Sequence, residues 1–104
     1  MFVARWEYEV KRGCEKDFEK VYGPEGEWVL FFRRSAEYMG TRLVKDVASS
    51  RRFFTVDYWS SERAYLIFRE ENAEEYARID ALCELLTVRE RKMGSCEVGE
   101  RENQ

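Results

Sequence analysis

Apolar and polar side chains alternate from Phe2 to Val10. Phe2, Ala4, Trp6, Tyr8 and Val10 fall on one face, and Val3, Arg5, Glu7 and Glu9 on the other. A period of two with one wholly apolar face predicts a strand. Lys11-Arg12-Gly13 ends it. The period then lengthens: Cys14, Phe18, Val21 and Tyr22 recur at three- and four-residue spacing among Glu and Lys, the pattern of a short amphipathic helix. Gly23-Pro24-Glu25-Gly26 breaks that helix. A second helical segment restarts with the proline near its first turn and carries Trp28, Phe31, Phe32 and Ser35 on one side. Its predicted end is Tyr38-Met39-Gly40, with Gly40 as the C-terminal cap.

Thr41 to Val47 and Arg52 to Trp59 read as two strands joined by the Ala48-Ser49-Ser50-Arg51 loop, a hairpin. The second strand has large side chains on both faces: Phe54, Val56 and Tyr58 on one, Phe53, Thr55, Asp57 and Trp59 on the other. This predicts a central strand covered on both sides. Ser60 and Ser61 are good N-caps for a helix through Ala64, Tyr65 and Phe68. Asn72, with Glu75 three residues on, marks a pause before the helix resumes through Tyr76, Ile79, Leu82, Cys83 and Leu86. Val88 to Val98 is a charged last strand interrupted by Gly94 and suited to a sheet edge.

The order strand, helix, strand, strand, helix, strand predicts an α+β, ferredoxin-like βαββαβ fold. Its four-stranded antiparallel sheet carries the helices on one face. One domain over residues 1–98 and a polar tail over 99–104 account for the chain. Trp6, Tyr8, Val56 and Tyr58 are assigned to the helix-covered face. Val3, Phe53, Thr55, Asp57 and Trp59 are assigned to the open one. An open apolar face of roughly several hundred Å2 is unusual on a monomer, so a symmetric homodimer, sheet against sheet, is expected to cover it.

Composition sharpens this picture by exclusion. The 104 residues are 44 % hydrophobic and 38 % charged, a globular profile. The longest uncharged apolar run, Trp28 to Phe32, is far short of a membrane span. The first residues show no basic segment followed by an apolar stretch, which predicts a cytoplasmic protein. Eighteen basic against 21 acidic residues give a net charge of −3, so no broad attraction for nucleic acid or anionic lipid is expected. Three cysteines (Cys14, Cys83, Cys96) cannot all pair within one chain and read as reduced thiols, Cys83 as a small buried hydrophobe. The chain has no histidine. Histidine-ligated metal or heme, a Ser-His-Asp triad and imidazole acid–base chemistry are therefore all excluded.

The opening strand ending in Val10-Lys11-Arg12-Gly13 resembles the antibiotic biosynthesis monooxygenase family of dimeric α+β barrel proteins. So do the tract Tyr38-Met39-Gly40-Thr41-Arg42-Leu43 and the run Asp57-Tyr58-Trp59-Ser60-Ser61-Glu62-Arg63-Ala64-Tyr65. The resemblance covers roughly residues 2 to 98 and implies a ligand pocket between sheet and helices. Trp6 falls where heme-degrading members carry a pocket asparagine, Phe68 where they carry a tryptophan, and Arg78 near their axial histidine. A guanidinium cannot ligate iron, so heme degradation is not expected. Quinol-oxygenating members use neither metal nor flavin; their phenolic substrate supplies the electrons to O2. The resemblance thus implies a cofactor-free monooxygenase acting on a small aromatic, quinol-type substrate. Trp6, Tyr8, Phe31, Tyr38, Tyr65, Phe68 and Tyr76 would line its pocket, with Arg42 or Arg78 as anion partner. No metal site is implied. Asp57 is read either as a base or as a polar contact at the barrel interface.

Two other readings compete. The element order is also that of RNA-recognition domains, and Arg51, Phe53, Val56 and Tyr58 match their third-strand signature. Both glycines of that signature are missing, and Glu7 and Glu9 would repel phosphate. The stronger alternative is a non-catalytic dimeric barrel that binds a small ligand or serves a structural role, because aromatic stripes also build cores.

Overall fold

A computed structural model describes residues 1–99, so all but the first residue of the expected tail lies outside the described residues. The elements are β1 (Phe2–Val10), α1 (Glu15–Tyr22), α2 (Glu27–Phe32), β2 (Tyr38–Lys45), β3 (Arg52–Trp59), α3 (Glu62–Glu71), α4 (Ala73–Cys83) and β4 (Thr87–Glu97). All strand pairs are antiparallel, in the order β2-β3-β1-β4, so both hairpin partners and both edges follow the ferredoxin-like plan.

Each crossover is a broken pair of helices. Between α1 and α2, Gly26 permits a close approach of backbone to backbone: a Cβ there would stand 2.1 Å from the Val21 carbonyl oxygen. Ser61 caps α3, its Oγ accepting from the Ala64 N–H at 3.1 Å. At Asn72 the helix breaks as the sequence suggests, but the Asn72 side chain does not cap α4. The Asn72 side chain instead donates to the Phe68 carbonyl at 2.9 Å, closing α3 from behind.

The expected helix through Tyr38 stops short. It ends at Phe32, followed by turns in which Arg34 and Ser35 donate to the Phe31 and Phe32 carbonyls. Tyr38 to Gly40 belong to β2. Tyr38 pairs opposite Trp59, and its ring packs against Trp59 and Phe32, with centroids 5.3 and 5.4 Å away. Tertiary pairing with the end of β3 has overridden helical continuation. Gly40 lies at a register shift of β2 with φ of +128°, a bulge that glycine accommodates without strain. Gly94, at φ +117°, does the same in β4, where the register with β1 shifts between Arg5 and Trp6.

The assignment of faces to β3 is corrected by the register. Residues directly opposite across an antiparallel pair share a face. Phe2 faces Trp59, Ala4 faces Asp57, Trp6 faces Thr55 and Tyr8 faces Phe53. Phe53, Thr55, Asp57 and Trp59 are therefore on the helix-covered face and buried within the chain's own core. They do not lie on the open face where a partner sheet was expected, and of the residues assigned there only Val3 does. Val56 and Tyr58, assigned to the helices, are on the open face beside Val3, Phe54 and Arg42.

The core between sheet and helices is almost entirely aromatic and aliphatic, with Phe18, Phe53, Trp59, Ile79 and Val10 fully buried. The open face divides in two. Near Val3 it presents half-buried Phe54, Val56 and Tyr58. Toward the other end, arginines and carboxylates form a cross-strand ladder. Glu7 is paired with Arg52 and with Arg91 (Nε to Oε1 3.0 Å), and Glu9 with Arg89 at 3.3 Å and Arg51 at 3.9 Å. The guanidiniums of Arg91 and Arg52 hold the Glu7 carboxyl below its ordinary pKa.

Candidate functional site

The helix–sheet layer is filled solidly at one end and opens at the other. At the filled end, Phe31 packs against Phe68 (4.9 Å between centroids) and Trp59 against Tyr65 (5.5 Å). At the open end, side chains of every strand and of α1, α2 and α4 surround an inner cleft of about 30 Å3. Its lining includes Trp6, Tyr8, Tyr22, Trp28, Thr41, Thr55, Asp57, Tyr76, Asp80 and Glu90. Trp6, Tyr76, Asp80 and Glu90 also border an outer recess of about 540 Å3, which adds Arg69, Glu84, Val88 and Arg89. Trp6 and Tyr76 thus stand at the neck between a small inner chamber and a wider mouth.

The neck is braced. The Arg69 guanidinium lies 4.3 Å from the Tyr76 ring centroid and donates to the Tyr65 hydroxyl at 3.3 Å. Lys92, opposite Trp6 on β4, places its ammonium 6.0 Å from the Trp6 ring. Behind the neck, Trp28 meets Tyr76 edge-on at 5.1 Å. Trp28 is only 8 % exposed, and its indole N–H has the buried Cys83 thiol, a weak acceptor, beside it and no stronger partner among the described residues.

Among the described residues Asp57 is the most deeply buried carboxylate of this layer, 8 % exposed. The β2–β3 register sets Thr41 directly opposite, and the Thr41 hydroxyl donates to Asp57 Oδ1 at 2.7 Å. Because Thr41 has a single hydroxyl proton and spends it on Asp57, Tyr38 must be the donor in its 2.5 Å contact with Thr41 Oγ1. The result is a directed chain, Tyr38 to Thr41 to Asp57. Burial pushes the Asp57 carboxyl up to about 6, with the Thr41 hydrogen bond opposing the rise. The tyrosines around it are held neutral: burial raises Tyr8, Tyr22, Tyr38 and Tyr76 above the ordinary phenol value. Tyr8 is further engaged with Thr55 Oγ1 at 3.3 Å. Glu90 is also raised, first by burial and then by Asp80 and Glu84. The chamber therefore offers a carboxylate able to accept a proton near neutral pH, neutral phenols that can donate or accept a hydrogen bond, and flat aromatic walls.

Of the residues expected to line a pocket, Trp6, Tyr8 and Tyr76 border this cleft, and Tyr38 stands behind Thr41. Phe31, Tyr65 and Phe68 are packed into the filled end of the core. The two expected anion partners are elsewhere. Arg42 pairs opposite Val56, which directs it to the open sheet face, and Arg78 is exposed on α4 at 3.5 Å from Glu75. Among the described residues, no lysine or arginine lines the inner cleft. Tyr22, Trp28, Thr41, Thr55, Asp80 and Glu90 were not anticipated as lining residues. A separate recess of about 390 Å3 lies over the arginine–glutamate ladder of the open face, where the charges already satisfy one another. Among the described residues no group of three or more His, Cys, Asp or Glu could hold a metal ion, and no helix is long and apolar enough to cross a membrane.

No protein-family model matches the sequence, and no curated protein is similar to it by sequence. Solved structures are similar in fold. A variant of SnoaB, a cofactor-independent oxygenase from Streptomyces nogalater, superposes with a TM-score of 0.78 at 13 % identity, over 99 % of this chain and 97 % of that one. A candidate antibiotic biosynthesis monooxygenase from Deinococcus radiodurans gives 0.76 at 11 % identity, covering 100 % and 98 %. Another from Bordetella bronchiseptica gives 0.70 at 15 % identity, covering 94 % and 97 %. At such identities the likeness is one of fold: the chain has, over essentially its full length, the fold of structures named as antibiotic biosynthesis monooxygenases.

Proposed function

We propose that the protein is a cofactor-independent monooxygenase of a small aromatic, quinol-type substrate, working as a cytoplasmic homodimer. The observation that carries this reading is the cleft itself: flat aromatic side chains at a neck, leading to a buried carboxylate on an oriented hydroxyl chain. Chemistry of this kind needs no metal, heme or flavin, because an electron-rich ring reduces O2 directly. When a ring CH2 becomes C=O, the second oxygen atom leaves as water and the electrons balance. The protein's task is then to exclude water, orient the ring and take up a proton. The fold shared with SnoaB, named a cofactor-independent oxygenase, is consistent with that task. The dimer is supported by the open face, where half-buried Phe54, Val56 and Tyr58 lie around the already covered Val3. The cytoplasmic location is supported by three cysteines without disulfides.

One observation favours a second reading. The inner chamber has room for little more than a water or one small substituent, which suits a barrel that binds a ring at its mouth without transforming it. Oxygen uptake with anthrone-type and quinol substrates, in metal-chelated buffer without added flavin, separates the two. Uptake stoichiometric with product supports the oxygenase. Binding of the same compounds with no uptake assigns the non-catalytic role.

A further inference from the structure

We propose that Asp57 is the proton-accepting residue of the cleft, with Thr41 and Tyr38 as its positioning residues, and that the cleft selects substrates entering as neutral phenols and rejects preformed anions. The inference deepens the reading above and rests on its cleft.

Three observations carry it. First, Asp57 is nine-tenths buried yet borders the cleft, and among the described residues only Thr41 donates to it, at Oδ1. Its other oxygen is left for a ligand. Second, the Tyr38–Thr41 chain points its protons toward Asp57, so the carboxylate is held in one orientation and supported in its ionised form. Third, the charge of the inner lining is of one sign. Thr41 of β2 contacts Asp57 directly, and the cleft it borders is also lined by Tyr8 from β1, Tyr22 from α1, Tyr76 and Asp80 from α4, and Glu90 from β4. A phenolate or carboxylate passing the neck leaves Arg69, Lys92 and Arg89 at the outer recess and meets, in the inner lining, three acids and, among the described residues, no cation. A neutral phenol meets an acceptor for its proton. Transfer moves that proton from the phenol oxygen to Asp57 and leaves the total charge of the chamber unchanged. The neutral acid then donates its hydrogen bond back to the new phenolate oxygen.

The geometry also divides the substrate. The ring is too large for the inner chamber and belongs between Trp6 and Tyr76 at the neck, with its hydroxyl projecting inward.

The test uses 2-naphthol, naphthalene and 2-naphthoate as probes, binding measured by fluorescence from pH 5 to 8 on the full-length wild-type protein and on Asp57→Asn, Thr41→Val and Thr41→Ser. Circular dichroism checks that each variant is folded. Wild-type protein should bind 2-naphthol in preference to 2-naphthoate, with affinity rising as Asp57 ionises around pH 6. Asp57→Asn should weaken naphthol binding by roughly 10- to 100-fold, abolish the pH step and leave naphthalene binding unchanged. Thr41→Val should move the pH step upward, and Thr41→Ser should restore it; a merely structural threonine would shift neither. Equal binding of 2-naphthol by wild type and Asp57→Asn, with a flat pH profile, overturns the assignment of Asp57 while leaving the cleft as a ring-binding site. Failure of wild-type protein to bind either naphthol or naphthalene removes the cleft reading, and the inference with it.

Discussion

Asp57→Asn should make the protein more stable at neutral pH. A carboxyl raised from its ordinary 3.8 to about 6 by burial is one that the folded state holds in its charged form at a cost. Each pKa unit corresponds to about 1.4 kcal/mol, so the cost above pH 6 is about 3 kcal/mol. The sign follows from proton counting. Between about pH 4 and 6 the folded protein binds more protons at this site than the unfolded chain does, so stability contributed by Asp57 falls as pH rises through that window and stays low above it. Asparagine keeps the shape and the acceptor for the Thr41 hydroxyl but carries no charge. We expect Asp57→Asn to gain about 1 to 3 kcal/mol at pH 8, and to gain little at pH 4, where the wild-type carboxyl is protonated as well. Glu90 is shifted the same way, Glu7 and Glu75 the opposite way. Only the difference between variant and wild type isolates Asp57. Urea unfolding at a series of pH values reads it directly. A variant no more stable than wild type at pH 8, or a gain that does not shrink toward pH 4, would refute the claim that a charge is held here against its desolvation. Stability that rises on removing a group marks that group as kept for something other than the fold.

Two further outcomes follow from the packing. Ser61→Ala removes the hydroxyl that accepts from Ala64 and should cost about 1 kcal/mol in thermal or denaturant unfolding, with no change in ligand binding. Val56→Lys places a charge in the middle of the apolar part of the open face without touching the helix-side core. Light scattering after gel filtration should then show the proposed dimer shifted to a species near 12.5 kDa, while circular dichroism stays that of a folded chain; an unchanged dimer would move the interface elsewhere.

How far the sequence could be read depended on whether local pattern or long-range pairing decides each feature. The bounds of β3, the break at Asn72, the Ser61 cap and the edge position of β4 are set within a few residues, by alternation, capping and charge, and all were legible. The end of α2 was not, because Tyr38 is drawn into the sheet by Trp59, twenty-one residues away. Nor was the buried face of β3. Alternation says that Phe53, Thr55, Asp57 and Trp59 share a face and that Phe54, Val56 and Tyr58 share the other, but with bulky side chains on both it gives no preference. Register with β1 decides it, and shifting that register by one residue would exchange the two faces. The same parity sends Arg42 outward and Thr41 inward, which no count along β2 alone reveals. Yet one signal was present. Of the two stripes on β3, the stripe that turns out to be buried carries Thr55 and Asp57 between Phe53 and Trp59. Polar residues in a core stripe are costly unless something uses them, so once the register is known, the residue that fits the fold least well is the one to assign to chemistry.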